Sequence, residues 1–204
     1  MKKITTLLLG LIISSTSYAQ LISESFDDIT TLAGDGWSQI NVSAPIGSTN
    51  WFQGADDIFP SNSGDVSAYI AANYNNAANG GGVDNISNWL ITPVVNVENG
   101  DAITFYTRTV AGNIYPDRLQ VRLSDTGASS TDPTNDTDVG SYTNLLLDIN
   151  PTLVTGVYPE VWTQQVINIT GLSGATDVRI AFRFCAFSLF FNHIIQACTA
   201  FLRC

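Results

Sequence analysis

The chain has 204 residues, 45% of them hydrophobic and only 13% charged, which excludes a disordered or coiled-coil composition. Eight basic residues stand against 18 acids for a net charge of −10, which argues against binding to nucleic acid or anionic lipid. Residues 20–184 contain neither Cys nor His, which removes most zinc, thiol and Ser–His chemistry.

Met1-Lys2-Lys3 is a short positive segment, Leu7 to Ile13 is apolar, and Ser17-Tyr18-Ala19 is a small-x-small cleavage site before Gln20. Residues 1–19 therefore read as a secretory signal peptide. The apolar run is too short for a membrane span, which needs roughly 20 such residues. Without these residues the chain loses both lysines and carries a net charge of −12. From Gln20 to Thr107 there are ten acids and no base, whereas all six arginines fall between Arg108 and Arg203.

The body alternates with a period of two rather than 3.6. Leu21–Phe26, Trp37–Val42, Ser67–Asn73 and Trp89–Thr92 are candidate strands. Asp101–Val110, rich in β-branched and aromatic residues, follows the Asn99-Gly100 turn signal. Arg118–Ser124 and Val178–Phe184 alternate cleanly and predict half-buried strands, with Leu, Val or Phe inward and Arg outward. Leu145–Ile149 and Trp162–Ile169 add two more. Gly34-Asp35-Gly36, Asn79-Gly80-Gly81-Gly82 and Leu172-Ser173-Gly174 read as turns, and Ser124–Gly140 as a long exposed loop. Many short strands without βα alternation predict an all-β fold, a jelly-roll-like antiparallel β-sandwich, as one domain over residues 20–184.

The series of motifs resembles the secreted choice-of-anchor J family, related to the cleaved adhesin domains of gingipain-type proteases and haemagglutinins. The residues that carry the resemblance are Glu24-Ser25-Phe26-Asp27, Gly36-Trp37, Trp51-Phe52-Gln53-Gly54, Tyr69-Ile70-Ala71-Ala72-Asn73 and Asn88-Trp89-Leu90-Ile91-Thr92-Pro93. They continue through Asn99-Gly100-Asp101, Phe105-Tyr106-Thr107-Arg108-Thr109, Pro116-Asp117-Arg118-Leu119, Tyr158-Pro159, Trp162-Thr163 and Arg179-Ile180-Ala181-Phe182-Arg183. The resemblance implies a jelly-roll sandwich, export, and non-catalytic adhesion or ligand binding, with calcium in some relatives. In related jelly rolls an acid on the first strand helps to hold the ion, and Glu24 and Asp27 match that part. The acidic loop that gingipain-like adhesins carry after Gly-Trp is here Asn41–Gly47, without a carboxylate.

Trp37, Trp89 and Trp162 are expected in the core, where large aromatics supply most of the burial. Trp51 and Phe52, beside Gln53-Gly54-Ala55, are the candidates for an exposed ligand platform. Residues 185–204 break the pattern: they hold all three Cys, the only His and no acid. They read as an atypical tail, from a frame-shift or truncation, that leaves the sandwich without its normal last strand. Two alternatives are a membrane segment and an unusual strand pair with a disulfide among Cys185, Cys198 and Cys204.

The expected function is a secreted or cell-surface, non-catalytic adhesion module. Its partner is an extracellular protein or polysaccharide ligand, with no nucleic acid, no membrane span in the mature body, and calcium as a possible stabiliser. A polysaccharide-active enzyme and a calcium-dependent surface structural component are the alternatives. The adjacent pairs Asp27-Asp28 and Asp56-Asp57 do not make a carboxylate site alone, because strand neighbours point to opposite faces.

Overall fold

The computed structural model describes residues 22–78, 81–189 and 195–202. The expected signal peptide, His193 and Cys204 lie outside them. Among the described residues there are twelve strands: β1 (Ser23–Glu24), β2 (Ser38–Asn41), β3 (Phe52–Gln53), β4 (Ile70–Ala72), β5 (Gly81–Ile91), β6 (Val95–Val97), β7 (Ala102–Arg108), β8 (Leu119–Ser124), β9 (Asn144–Ile149), β10 (Thr163–Asn168), β11 (Thr176–Leu189) and β12 (Ile195–Leu202). All pairings between them are antiparallel. One sheet runs β10-β7-β12-β4-β3, with β1 beside β4 along the same edge of β12. The other runs β2-β5-β11-β8-β9, with β6 following β5 along one edge of β11.

The period-two reading explains the packing between the sheets. Leu119, Val121 and Leu123 of β8 and Ile180, Phe182 and Phe184 of β11 are buried in one core cluster with Ile103 and Phe105 of β7. Phe105 meets Phe182 edge-on, with ring centroids 5.2 Å apart. Such aromatic pairs contribute about 0.5–1.5 kcal/mol beyond area burial. The alternate residues Arg118, Gln120, Arg122 and Arg183 make their hydrogen bonds on the opposite face, to one another and to covering loops.

The structure corrects three expectations. Gly81 and Gly82 are not turn residues but open β5, where pairing with β11 overrides their turn chemistry. Residues 124–140 do not simply extend into solvent: Asp136 reaches back to the sheet, accepting from Asn85 Nδ2 at 2.7 Å and, through its carbonyl, from Arg183 Nη2. Nor is the sandwich without a closing strand. Ile195–Leu202 lies between β7 and β4, pairing Gln196–Leu202 with Ala102–Arg108 and Ile195–Ala197 with Ile70–Ala72. Backbone pairing needs a complementary edge rather than a particular sequence, so the unusual tail composition does not prevent it. Cys185 is buried and free of any disulfide. Among the described residues no helix is long and apolar enough to cross a membrane.

Candidate functional site

Strand alternation separates the two platform candidates. Trp51 is 4% exposed and belongs to the inter-sheet core, so it is no exposed platform; its indole Nε1 is buried without a hydrogen-bond partner among the described residues. Phe52, one residue on, points to the other face and packs, half-buried, on a separate cluster of Phe59, Tyr69 and Ala71. Trp162, expected in the core, is half-buried on this same cluster. The four tryptophans thus divide into three buried ones (Trp37, Trp51, Trp89) and one that reaches the surface.

The cluster is rigid for identifiable reasons. Phe59 stacks on Tyr69 at 5.6 Å, and Trp162 meets Phe59 at 5.9 Å and Tyr69 at 6.0 Å, both edge-on. Trp162 Nε1 donates to Pro60 O at 3.0 Å, which fixes the indole in its plane. Tyr69 closes the 54–69 loop: its hydroxyl accepts from Ala55 N and donates to Ala55 O, each at 2.5 Å. The ring lies so close over Gly54 that a Cβ there would sit 2.2 Å from it, so only glycine fits. The Arg108 guanidinium lies 4.0 Å from the Phe59 ring centroid and donates from Nη2 to Glu160 O at 2.7 Å. Glu160 in turn accepts from Gly112 N at 2.9 Å. Around this cluster Val161 is 67% and Ile58 42% exposed. The sequence signal for this patch was present in Trp162-Thr163 and Phe105–Thr109. What it lacked was the loop that carries Phe59 over the sheet.

Glu24 and Asp27 each make a local hydrogen bond. Glu24 Oε1 accepts from Phe26 N at 2.7 Å and Asp27 Oδ2 from Ser25 Oγ at 2.5 Å, so each carboxylate serves its own turn. Phe26 between them has φ +57°. Three backbone carbonyls do converge nearby, those of Phe26, Ser67 and Tyr69, but on Gln53 Nε2, at 2.7, 2.6 and 3.3 Å. Gln53 Oε1 accepts from Ile29 N at 3.0 Å, which fixes the orientation of the amide. A donor thus occupies the point on which these three carbonyl oxygens converge. Among the described residues no group of three or more His, Cys, Asp or Glu could hold a metal ion.

On the outer face of the other sheet Ser87, Arg183, Gln120 and Asp148 form a continuous polar ladder. Arg183 donates to Ser87 Oγ at 3.0 Å and Gln120 Oε1 at 3.3 Å, and Gln120 Nε2 donates to Asp148 at 3.0 Å. Arg183 also lies 5.1 Å from the Trp89 ring centroid.

The profile of the Cleaved Adhesin Domain matches residues 19–195. The chain belongs to the cleaved adhesin domain family. Three solved cleaved adhesin domains share its fold. The K1 domain of Lys-gingipain from Porphyromonas gingivalis is 22% identical, with 81% of this chain and 89% of that one covered and a TM-score of 0.53. The K3 domain from the same organism is 17% identical, with 91% and 100% covered and a TM-score of 0.57. The K2 domain of Lys-gingipain is 18% identical, with 88% and 98% covered and a TM-score of 0.56. No curated protein matches the chain. The cleaved adhesin domain described here therefore shares with these three a β-sandwich, and its site residues stand on their own geometry.

Proposed function

We propose that this cleaved adhesin domain is a secreted or cell-surface, non-catalytic binding module that recognises an extracellular polysaccharide or protein through the Phe52–Trp162 face. The family and an all-β scaffold with loop-borne aromatic groups support a recognition role. The observation that carries the reading is Trp162. It is a large aromatic group left half-exposed, yet locked by Pro60, Phe59 and Tyr69. A fixed apolar plate flanked by Arg108 and Glu160 loses little entropy on binding and offers both stacking and hydrogen-bonding partners. Both side chains are held to the backbone: Arg108 donates to the Thr109 and Glu160 carbonyls, and the Glu160 carboxylate accepts from Gly112 N.

Binding of the labelled chain to immobilised polysaccharides and extracellular matrix proteins tests this reading. Trp162→Ala should weaken the captured interaction by about tenfold or more, as truncation of an aromatic anchor does, while the far-ultraviolet circular dichroism stays unchanged. Ligand addition should alter tryptophan fluorescence, and Trp162→Phe should remove most of that change, because the other three indoles are buried. Equal binding by wild type and Trp162→Ala would refute the site.

A further inference from the structure

The cleft of about 270 Å³ on the opposite sheet is lined by Asn85, Ile86, Arg118, Asp136, Thr137 and Arg183, with Leu153 and Ala186 completing its apolar part. Its charge is the reverse of the chain's. The molecule carries a net −10, yet Arg118, Arg122 and Arg183, half of its arginines, gather on this face against Asp136 and Asp148. They are close enough to feel one another: burial lowers the Arg183 pKa and the Arg118 charge lowers it further. Arg122 responds in the same way, to burial first and to Arg183 next.

Most of these groups hold the sheet rather than wait for a ligand. Arg183 is spent on Ser87, Gln120 and the Asp136 carbonyl. Arg118 differs. It binds Asp148 in the two-pronged manner through Nε at 2.8 Å and Nη2 at 2.5 Å, which leaves the Nη1 edge outside that pair. The Asp148 partner fixes the plane of the guanidinium, so the remaining edge is presented in one orientation. The rim mixes a carboxylate (Asp136), a hydroxyl (Thr137) and an amide (Asn85), while the part-buried Leu153 and Ala186 supply the apolar surface; Ile86, also at the cleft, has its side chain in the inter-sheet core. A carboxylate-binding edge, hydroxyl partners of both polarities and an apolar surface together suit an acidic sugar ring. A peptide helix about 10–12 Å across would not enter a space of this size.

We propose that this cleft binds a uronate unit of an acidic polysaccharide. The carboxylate pairs with the Nη1 edge of Arg118, the ring lies on Leu153 and Ala186, and ring hydroxyls bond to Asp136 and Thr137. The site lies on the other sheet from Trp162 and does not depend on the reading of that face.

The test is a nuclear magnetic resonance titration of the full chain, following arginine Nε–H signals, with D-glucuronate, D-glucose and acetate as separate probes. Glucuronate should shift the Arg118 and Arg183 signals and bind at least about tenfold more tightly than either glucose or acetate, because only it offers both the charge and the hydroxyls. Raising the salt should weaken it. Thr137→Trp fills an exposed rim position without touching the core and should abolish binding, and Arg118→Gln should lower it toward the glucose value. Trp162→Ala should leave it unchanged, which separates this site from the face proposed above. Glucuronate no tighter than glucose would overturn the proposal. So would acetate equal to glucuronate, or unchanged affinity in Thr137→Trp.

Discussion

Asp117 is 1% exposed, beneath the turn that leads into β8. Its Oδ2 accepts from Thr109 Oγ1 at 2.8 Å and Asn113 Nδ2 at 2.7 Å, and Asn150 Nδ2 donates to its carbonyl at 2.9 Å. Burial outweighs these bonds and raises its pKa from 3.8 to about 7. The folded state therefore keeps a proton that the unfolded chain releases near pH 4. Between these values the native state binds more protons, and its stability falls as the pH rises. The loss is complete above pH 7 and amounts at most to ~4 kcal/mol at 1.36 kcal/mol per unit. Asp117→Asn removes the titration while keeping an oxygen acceptor. In urea unfolding it should gain on the wild type steadily from pH 4.5 to pH 7.5 and then run parallel to it. Identical pH slopes in the two proteins would show that Asp117 is not the group responsible.

At the scale of elements, Gln53 explains both what the sequence disclosed and what it withheld. The motif Trp51-Phe52-Gln53-Gly54 was visible as a unit, but Trp51 and Phe52 were read together as an exposed platform, although neighbours in a strand point to opposite faces. Which face was the core could not be read from a strand of two residues, because so short a segment carries no period. The role of Gln53 was hidden more deeply, since its partners Phe26, Ser67 and Tyr69 are backbone carbonyls 27, 14 and 16 residues away. Longer alternating segments were legible almost to the residue, as with β8 and the first half of β11. The Gly-rich start of β5 was not, because glycine signals a turn locally while its strand is decided by a distant partner. The Gln53 clamp makes a prediction about calcium. With an amide donor at the carbonyl cluster, neither millimolar calcium nor EDTA should move the Tm of the wild type. Gln53→Ala should lower stability by about 1–3 kcal/mol by leaving buried carbonyls unmade. A calcium-induced rise of several degrees in the wild type would instead assign an ion to Glu24 and Asp27.

At the scale of the whole molecule, the strand that the composition argued against is the one on which the first sheet depends. β12 is the shared partner of β7, β4 and β1, so without it the β10–β7 pair, the β4–β3 pair and β1 have no common neighbour. A chain stopped after Phe184 would also leave β5 without its β11 partner from Gly81 to Ser87. The exposed edges of β7 and β4 would then offer rows of free N–H and C=O groups, and the apolar face beneath would lose its cover. Such a truncated chain should sediment as aggregate where the full chain remains monodisperse, and should show the added β signal of edge-to-edge association. A soluble, monomeric truncated chain with native tryptophan fluorescence would show that β12 does not hold the sheet together. The composition break at residue 185 has its own test, at the level of the coding DNA through codon 184. A single-base slip that restores a Gly/Asn-rich loop and a strand ending in a carboxylate would make the present β12 a substitute for the native one. An intact frame makes Ile195–Leu202 the closing strand this sequence evolved with, and the aggregation of the truncated chain is then the direct measure of what that strand contributes.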